Sequence, residues 1–166
     1  MGASNNGIVQ LPELGERGQG WVWIQSLIMA AIPAVGGLAT RWPTSARISL
    51  IVAGGAVVAL GSVLLVAGIL GLGDSFAVFL RPAPAAALVT TGVYARARHP
   101  IYGGWILVGL GFALALSPWA LLPAGLLAFE LNGKSRVEER ALVTQYLGYP
   151  AYRQRVPRRF FPLGQA

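Results

Sequence analysis

The chain has 166 residues, of which 55% are hydrophobic and only 11% are charged, and it carries a net charge of +7. Soluble domains carry roughly 25% charged residues, so this composition excludes an ordinary soluble domain and indicates a surface that faces lipid. The absence of cysteine excludes disulfides and thiolate sites, and together with the single histidine it argues against a metal site. The basic residues lie beside apolar runs, which favours membrane topology over nucleic-acid binding.

Two apolar runs follow a polar, glycine-rich tail at residues 1–20. The run at residues 21–39 is long enough for one bilayer crossing, and Pro33 predicts a kink in it. A signal peptide is the alternative, but its first region would be long and barely basic, so we favour a retained helix. The run at residues 48–72 predicts a second crossing, whose glycines suit close packing inside the chain or against a partner.

A third apolar stretch, residues 101–131, is too long for one crossing. As a single helix it would extend roughly 46 Å at about 1.5 Å per residue, against a hydrocarbon core of about 30 Å. Ser117 and Pro118 supply a break, with serine as the N-cap and proline at the first position of the next helix. The stretch therefore predicts a helical hairpin whose second helix continues into residues 134–145. Residues 148–166 then suit an interfacial lid or anchor.

Four crossings place both termini and the connector at residues 73–99 on one side of the membrane. Eleven of the 13 lysines and arginines fall on that side, and only Arg41 and Arg47 fall on the other. Such a bias identifies the basic side as cytoplasmic. We therefore predict an all-α, multi-pass integral membrane protein that forms a single domain over residues 1–166, with its pocket and both termini in the cytoplasm.

The end of the 73–99 connector concentrates histidine, arginine and tyrosine side chains. Pro100 restricts His99 to an extended conformation and starts the third helix, so His99 lies beside free backbone N–H groups and the positive end of a helix dipole. Tyr94 and Tyr102 flank that end, which suits a ligand with an anionic end, an aromatic ring and a cation held against tyrosine faces. Simple anchoring of the helix at the interface explains the same residues, so both interpretations stay open.

A second polar group lies on the helix that follows the hairpin break. It comprises Glu130, Asn132, Lys134, Arg136, Glu138 and Glu139. Three of these residues are spaced four apart and share one face, and the first of them is at the edge of the apolar run, where a carboxylate usually has a functional or paired role. A salt-bridged helix that continues into water is the alternative. We expect Glu139 and Arg140 to belong to the solvated face.

Four features of the second half of the chain occur in succession. They are the segment G-V-Y-A-R-A-R-H-P-I-Y, the apolar hairpin, the segment K-S-R-V-E-E-R-A-L and the segment Y-L-G-Y-P-A-Y-R-Q-R-V-P. In this order and spacing, across residues 88–162, they resemble the isoprenylcysteine carboxyl methyltransferase family, whose wider relatives include integral-membrane phospholipid methyltransferases. The resemblance implies an enzyme that binds S-adenosylmethionine between these segments at the cytoplasmic face and methylates a lipophilic acceptor that arrives from the bilayer.

The resemblance also implies roles for individual residues. The S-adenosylmethionine site would be lined by Leu88, Val89, Tyr94, His99, Pro100, Tyr102 and Glu138. The catalytic and acceptor-binding set would be Lys134, Arg136, Glu138 and Glu130. In that set Glu138 would pair with the ammonium group of the cofactor or orient its neighbours. Lys134 or Arg136 would hold an anionic acceptor, or Glu130 would accept a proton from a neutral one.

One position departs from the family pattern. Eukaryotic members carry arginine where this chain has Lys134, and lysine lacks the bidentate fork of arginine. The acceptor is therefore left open among isoprenoids, phospholipids, quinone-like lipids and small amphiphiles.

A membrane reductase and a non-enzymatic scaffold are the alternatives to the methyltransferase. Membrane reductases of the sterol-reductase type share the R-H-P motif and use NADPH, but they typically carry asparagine where this chain has Ile101. The glutamate pair after the hairpin also favours the methyltransferase. A non-enzymatic membrane scaffold is the other alternative, and it predicts that no cofactor binds.

Overall fold

A computed structural model describes residues 11–12, 14–16, 18–76 and 87–163 of the chain. Within these residues there are five α-helices and no β-strand, so the expected all-α class is confirmed for this part of the chain. The helices are α1 at Gln19–Leu38, α2 at Thr44–Leu72, α3 at Pro100–Leu116, α4 at Leu121–Gln145 and α5 at Tyr149–Arg155. Most of the expected N-terminal tail, and connector residues 77–86, lie outside the described residues.

Two of these helices are long and apolar enough to cross a membrane. They are α1, which contains Pro33, and α2 with the short 3-10 turn that follows it. The helix α3 is apolar but shorter, with 17 residues. These two helices agree with the first two expected crossings, while the third and fourth crossings stay a prediction.

Glycines bring α2 and α3 into close contact, which is the most extensive contact between helices of the described chain. A Cβ atom added at Gly54 would lie 2.5 Å from the carbonyl oxygen of Gly111, and one added at Gly61 would lie 2.8 Å from that of Gly104. Neither separation is possible for a real side chain. Gly54 and Gly61 of α2 therefore pack against α3, since only their lack of a side chain lets the two backbones approach this closely.

The break in the apolar hairpin falls where the sequence predicts it. Ser117 is the N-cap of a 3-10 turn at Pro118–Ala120, and its hydroxyl oxygen accepts a hydrogen bond from the N–H of Trp119 at 3.3 Å. The same hydroxyl donates to the carbonyl oxygen of Thr40 at 2.7 Å, which fastens the hairpin to the link between α1 and α2. As expected, α4 then runs beyond the apolar stretch into the charged segment.

The end of the chain folds back over the start of α3. We call residues 156–163 the C-terminal strap. The N–H groups of Arg98 and His99 donate to the carbonyl oxygens of Arg158 and Arg159, at 3.1 and 2.7 Å. The hydroxyl of Tyr152, in α5, donates to the carbonyl oxygen of Tyr94 at 2.8 Å. The strap and α5 thereby cover the connector and position the residues that precede α3.

Candidate functional site

A cavity of about 550 Å³ lies between the start of α3, the charged part of α4, α1 and α5. Small-molecule sites typically have volumes of roughly 300–1,000 Å³. Of the residues expected to hold a cofactor, those that line the cavity are Leu88, Val89, Tyr94, His99, Tyr102 and Glu138. Lys134, from the expected acceptor set, lines it as well. The structure therefore brings the connector before α3 and the charged part of α4 to one cavity.

Three expected site residues do not line this cavity. Pro100 is buried at the first position of α3, where it shapes the helix end. Arg136 is exposed, because it lies two residues from Lys134 and so points away from the cavity side of α4. Glu130 is 5% exposed, and neither of its carboxylate oxygens has a hydrogen-bond partner. The geometry therefore favours Lys134 over Arg136 as the basic residue at the cavity.

Glu138 is held in place by the start of α3. The hydroxyl of Tyr102 donates to its Oε2 at 2.6 Å, and Nδ1 of His99 lies 3.6 Å from the same oxygen. The rings of His99 and Tyr102 stack with centroids 5.3 Å apart and planes 5° from parallel. His99 is the N-cap residue of α3, as expected. The carboxylate of Glu138 thus lines the cavity with its orientation fixed by two neighbouring residues.

Glu139 is buried, which corrects the expectation that it belongs to a solvated face. Its side chain is 7% exposed, and its Oε1 lies 2.9 Å from Nε of Arg98, 3.2 Å from Nε2 of His99 and 3.6 Å from Nε of Arg159. The expectation was wrong because the connector and the C-terminal strap cover this side of α4. Arg140, the next residue, is exposed as expected.

The environment of Glu139 favours its ionised form. The residue lies beyond the apolar part of α4, which ends at Leu131. Burial by itself raises the pKa of Glu139, but the hydrogen bond with His99 and the charges of His99 and Arg98 outweigh it and hold the pKa at about 2. Because Nε2 of His99 is hydrogen-bonded to Glu139 and its ring stacks on Tyr102, the imidazole is fixed in orientation and is better suited to shaping the site than to moving protons.

Tyrosines of α5 and of the connector before α3 line part of the cavity. Burial raises the pKa of Tyr152 to about 12, and it raises the pKa of Tyr149 as well, so both remain neutral phenols. The hydroxyl of Tyr94 donates to the carbonyl oxygen of Gly68 at 3.2 Å. The hydroxyl of Tyr149, by contrast, is buried without a hydrogen-bond partner. A buried hydroxyl without a partner is costly, and Tyr149 is one of the residues that line the cavity.

Gln25 of α1 and the two tyrosines of α5 were not among the individually predicted site residues, although the resemblance implies that the segment containing α5 contributes to the site. Gln25 lines the cavity, and its Oε1 accepts a hydrogen bond from Nζ of Lys134 at 2.6 Å. Tyr149 and Tyr152 line it from α5. An amide inside an apolar run was a usable signal for Gln25, because polar groups in such runs are usually functional or paired. The two tyrosines are part of the Y-L-G-Y-P-A-Y segment that carries the family resemblance.

Comparison with known proteins gives one match. The model of the isoprenylcysteine carboxyl methyltransferase family matches residues 53–144, which is more than half of the chain. No curated protein and no solved structure matches the chain. The matched region includes the connector, α3 and nearly all of α4, whereas α1, α5 and the C-terminal strap lie outside it.

Proposed function

The chain belongs to the isoprenylcysteine carboxyl methyltransferase family, and we propose that it transfers the methyl group of S-adenosylmethionine to a lipophilic acceptor in the membrane. The observation that carries the proposal is the shared cavity, in which the connector before α3 and the charged part of α4 meet beside apolar helices. Because the family is one of membrane methyltransferases, a cavity with one polar and one apolar side suits a water-soluble donor and a lipid acceptor.

The residues at the polar side fit this cofactor. When bound, S-adenosylmethionine supplies a methyl group activated by a positively charged sulfur. Glu138 offers a carboxylate for its ammonium group, and the tyrosine faces offer surfaces for cations and for the adenine ring. The partnerless hydroxyl of Tyr149 offers a hydrogen bond that the protein leaves unmade. Leu88 and Val89 add apolar surface beside them.

The acceptor is proposed to occupy the side formed by α1 and α2. Met29 of α1, Ile69 of α2 and Trp105 of α3 line the cavity. In this arrangement an apolar chain passes from the bilayer between α1 and α2, while its head group reaches Lys134. The proposal includes four crossings and a cytoplasmic cavity, supported by the distribution of basic residues described above.

Catalysis is proposed to come from placement and fixed charge rather than from a protein nucleophile. The cavity holds both reactants beside oriented charged groups, an arrangement that lowers the barrier without a covalent intermediate. A basic residue at the acceptor side favours an anionic acceptor, which has no proton to lose on methylation. Glu130, the expected proton acceptor for a neutral substrate, does not line the cavity. The arrangement therefore supports an anionic acceptor better than a neutral one.

Binding of S-adenosylhomocysteine to the purified full-length protein tests the proposal. We expect saturable binding by calorimetry, no binding of NADPH, and loss of S-adenosylhomocysteine binding in the Glu138→Ala variant. Glu16→Ala, at an exposed carboxylate, is the matched control and should bind as the wild type does. Binding of NADPH alone would point to the reductase, and binding of neither ligand would point to a scaffold. Undiminished binding by Glu138→Ala would remove the role assigned to Glu138.

A further inference from the structure

One polar side chain of α1 reaches the cavity close to a basic residue. Gln25 is 9% exposed, and its Oε1 accepts a hydrogen bond from Nζ of Lys134 at 2.6 Å. Its Nε2 contacts the sulfur of Met29 at 3.8 Å, and a thioether is only a weak acceptor. Gln25 lies outside the region that matches the family model, whereas Lys134 lies inside it.

Lys134 is buried, and among the described residues its ammonium group makes no direct ion pair, while Glu130 and Glu138, four residues away on either side, interact with it at longer range. Its residue is 3% exposed, and no carboxylate oxygen of the described residues lies within 4 Å of its Nζ. Its contacts are the amide oxygen of Gln25 and the ring of Tyr102, whose centroid lies 5.1 Å away. Buried charges are normally paired, and an ammonium group has three donors. Lys134 therefore keeps donors for a ligand, and the Nε2 group of Gln25 lies beside them.

The position of Lys134 along α4 indicates which ligand the pair of Gln25 and Lys134 meets. Lys134, Glu138 and Leu142 are four residues apart and line the cavity in succession. Leu142 packs with the cluster around Tyr149 at the α5 side. Lys134 is the member nearest to the apolar part of α4, on the side where Met29 borders the hydrophobic core. A lipid that arrives from the bilayer reaches this side of the cavity first.

We infer that Gln25 determines acceptor specificity, by holding the ammonium group of Lys134 in the cavity and by binding, together with it, the anionic oxygen group of the acceptor. The inference rests on the proposed function. Both residues contribute N–H donors and together carry one positive charge, so they recognise an anion better than the neutral amide of the same shape. The carboxylate of the cofactor is also an anionic oxygen group, so the experiment has to distinguish binding of the acceptor from binding of the cofactor.

Two substitutions at Gln25 separate recognition from simple packing. Gln25→Met keeps the volume and removes the amide. Gln25→Glu keeps an oxygen for Lys134 but cancels its positive charge, so a merely structural role would survive it. The same two substitutions at Gln154, which is exposed on α5, are the matched controls. The probes are N-acetyl-S-farnesylcysteine and oleate, each beside its carboxamide, with S-adenosylhomocysteine as the probe for the cofactor side.

We expect both Gln25 variants to weaken binding of a carboxylate probe about tenfold or more, the effect of losing a hydrogen bond to a charged group. Binding of S-adenosylhomocysteine, measured by calorimetry on the same preparations, should stay within about twofold of wild type. Gln25→Glu should bind a carboxamide at least as well as the corresponding carboxylate, which reverses the preference of the wild type. The Gln154 variants should retain that preference.

Several results would overturn the inference. The first is a wild type that binds neither carboxylate better than its carboxamide, and the second is a Gln25→Glu variant that still prefers the carboxylate. The third is a pair of Gln25 variants that lose binding of S-adenosylhomocysteine alone, which would assign Gln25 and Lys134 to the cofactor. Loss of both ligands in both Gln25 variants would make Gln25 a residue that the fold requires, and would overturn it too. Absence of S-adenosylhomocysteine binding to the wild type defeats the proposed function itself, whereas unchanged acceptor binding with intact cofactor binding defeats this inference alone.

Discussion

The body of α3 and the start of α3 are held to the rest of the molecule in different ways. Along its body, α3 meets α2 through glycines whose backbones touch, as at Gly54 and Gly111. At its start it is surrounded by buried charges, where Arg98 and His99 converge on Glu139 beneath the C-terminal strap. The packing of the body of α3 depends on the absence of side chains, whereas the packing of its start depends on paired charges.

This difference fits the surroundings that the proposed membrane topology gives each region. Helices in lipid gain little from burying apolar surface against each other, so close packing of small residues holds them together. The start of α3 is covered by protein, and there a charge is stable only when a partner is in place. The two regions should therefore respond to opposite substitutions, added volume in one case and neutralised charge in the other.

Neutralising Glu139 should have the largest effect on stability. Glu139→Gln keeps the shape of the side chain but leaves Arg98 as a buried cation without its carboxylate, and breaking a buried ion pair costs about 3–5 kcal/mol. We expect a clear drop in the melting temperature, measured by circular dichroism in detergent. Glu16→Gln, at an exposed position, is the control. Equal melting of the two variants would show that the buried charges do not stabilise the start of α3.

Adding a methyl group between α2 and α3 should have the next largest effect. A Cβ atom at Gly54 would meet the backbone of α3, and overpacking of this kind costs about 1–3 kcal/mol. The neighbouring Gly55 has nothing within 4 Å of its Cβ position. Gly55→Ala should therefore be neutral or slightly stabilising, since alanine favours a helix by about 1 kcal/mol. Similar melting curves for Gly54→Ala and Gly55→Ala would contradict the role of the glycine contact.

Removing single tyrosine hydroxyls should have effects on stability that are no larger, and the two variants separate folding from binding. Tyr102→Phe removes the hydrogen bond to Glu138, a loss of about 1–3 kcal/mol because the acceptor is charged. Tyr149→Phe removes a hydroxyl without a partner in the protein, so it should leave the melting temperature unchanged or raise it slightly. Both should weaken S-adenosylhomocysteine binding in calorimetry. A Tyr149→Phe variant that binds normally would show that its hydroxyl does not meet the cofactor.

The pH dependence of stability should be the smallest effect over the accessible pH range. The pKa of Glu139 lies near 2 in the folded protein and at 4.5 ordinarily, so the unfolded chain binds this proton first. Its stabilisation is therefore fully present above pH 4.5 and is lost as the pH falls from 4.5 towards 2. Melting temperatures between pH 6 and 3.5 should fall more steeply for wild type than for Glu139→Gln. Parallel curves would show that Glu139 is not the group responsible.

Much of the fold could be predicted from the sequence because the signals are local. Ser117 and Pro118 end one helix and begin the next through their own backbone preferences, and Pro100 does the same for α3. The long apolar runs of α1 and α2 follow from composition. The convergence of His99 and Glu138 came from the family resemblance rather than from such local rules, and the structure brings both to the cavity.

The tertiary structure decided which side chains of the predicted segments share the site. Glu138 and Glu139 are neighbours, yet one lines the cavity and the other is enclosed by Arg98, His99 and the strap, because successive residues of a helix face different surroundings. Gln25 reaches Lys134 from more than a hundred residues away in the chain. Sequence by itself determined where helices begin, end and are apolar, since those depend on neighbouring residues. Burial and pairing depend on what packs across each helix face, so only the tertiary structure decided them.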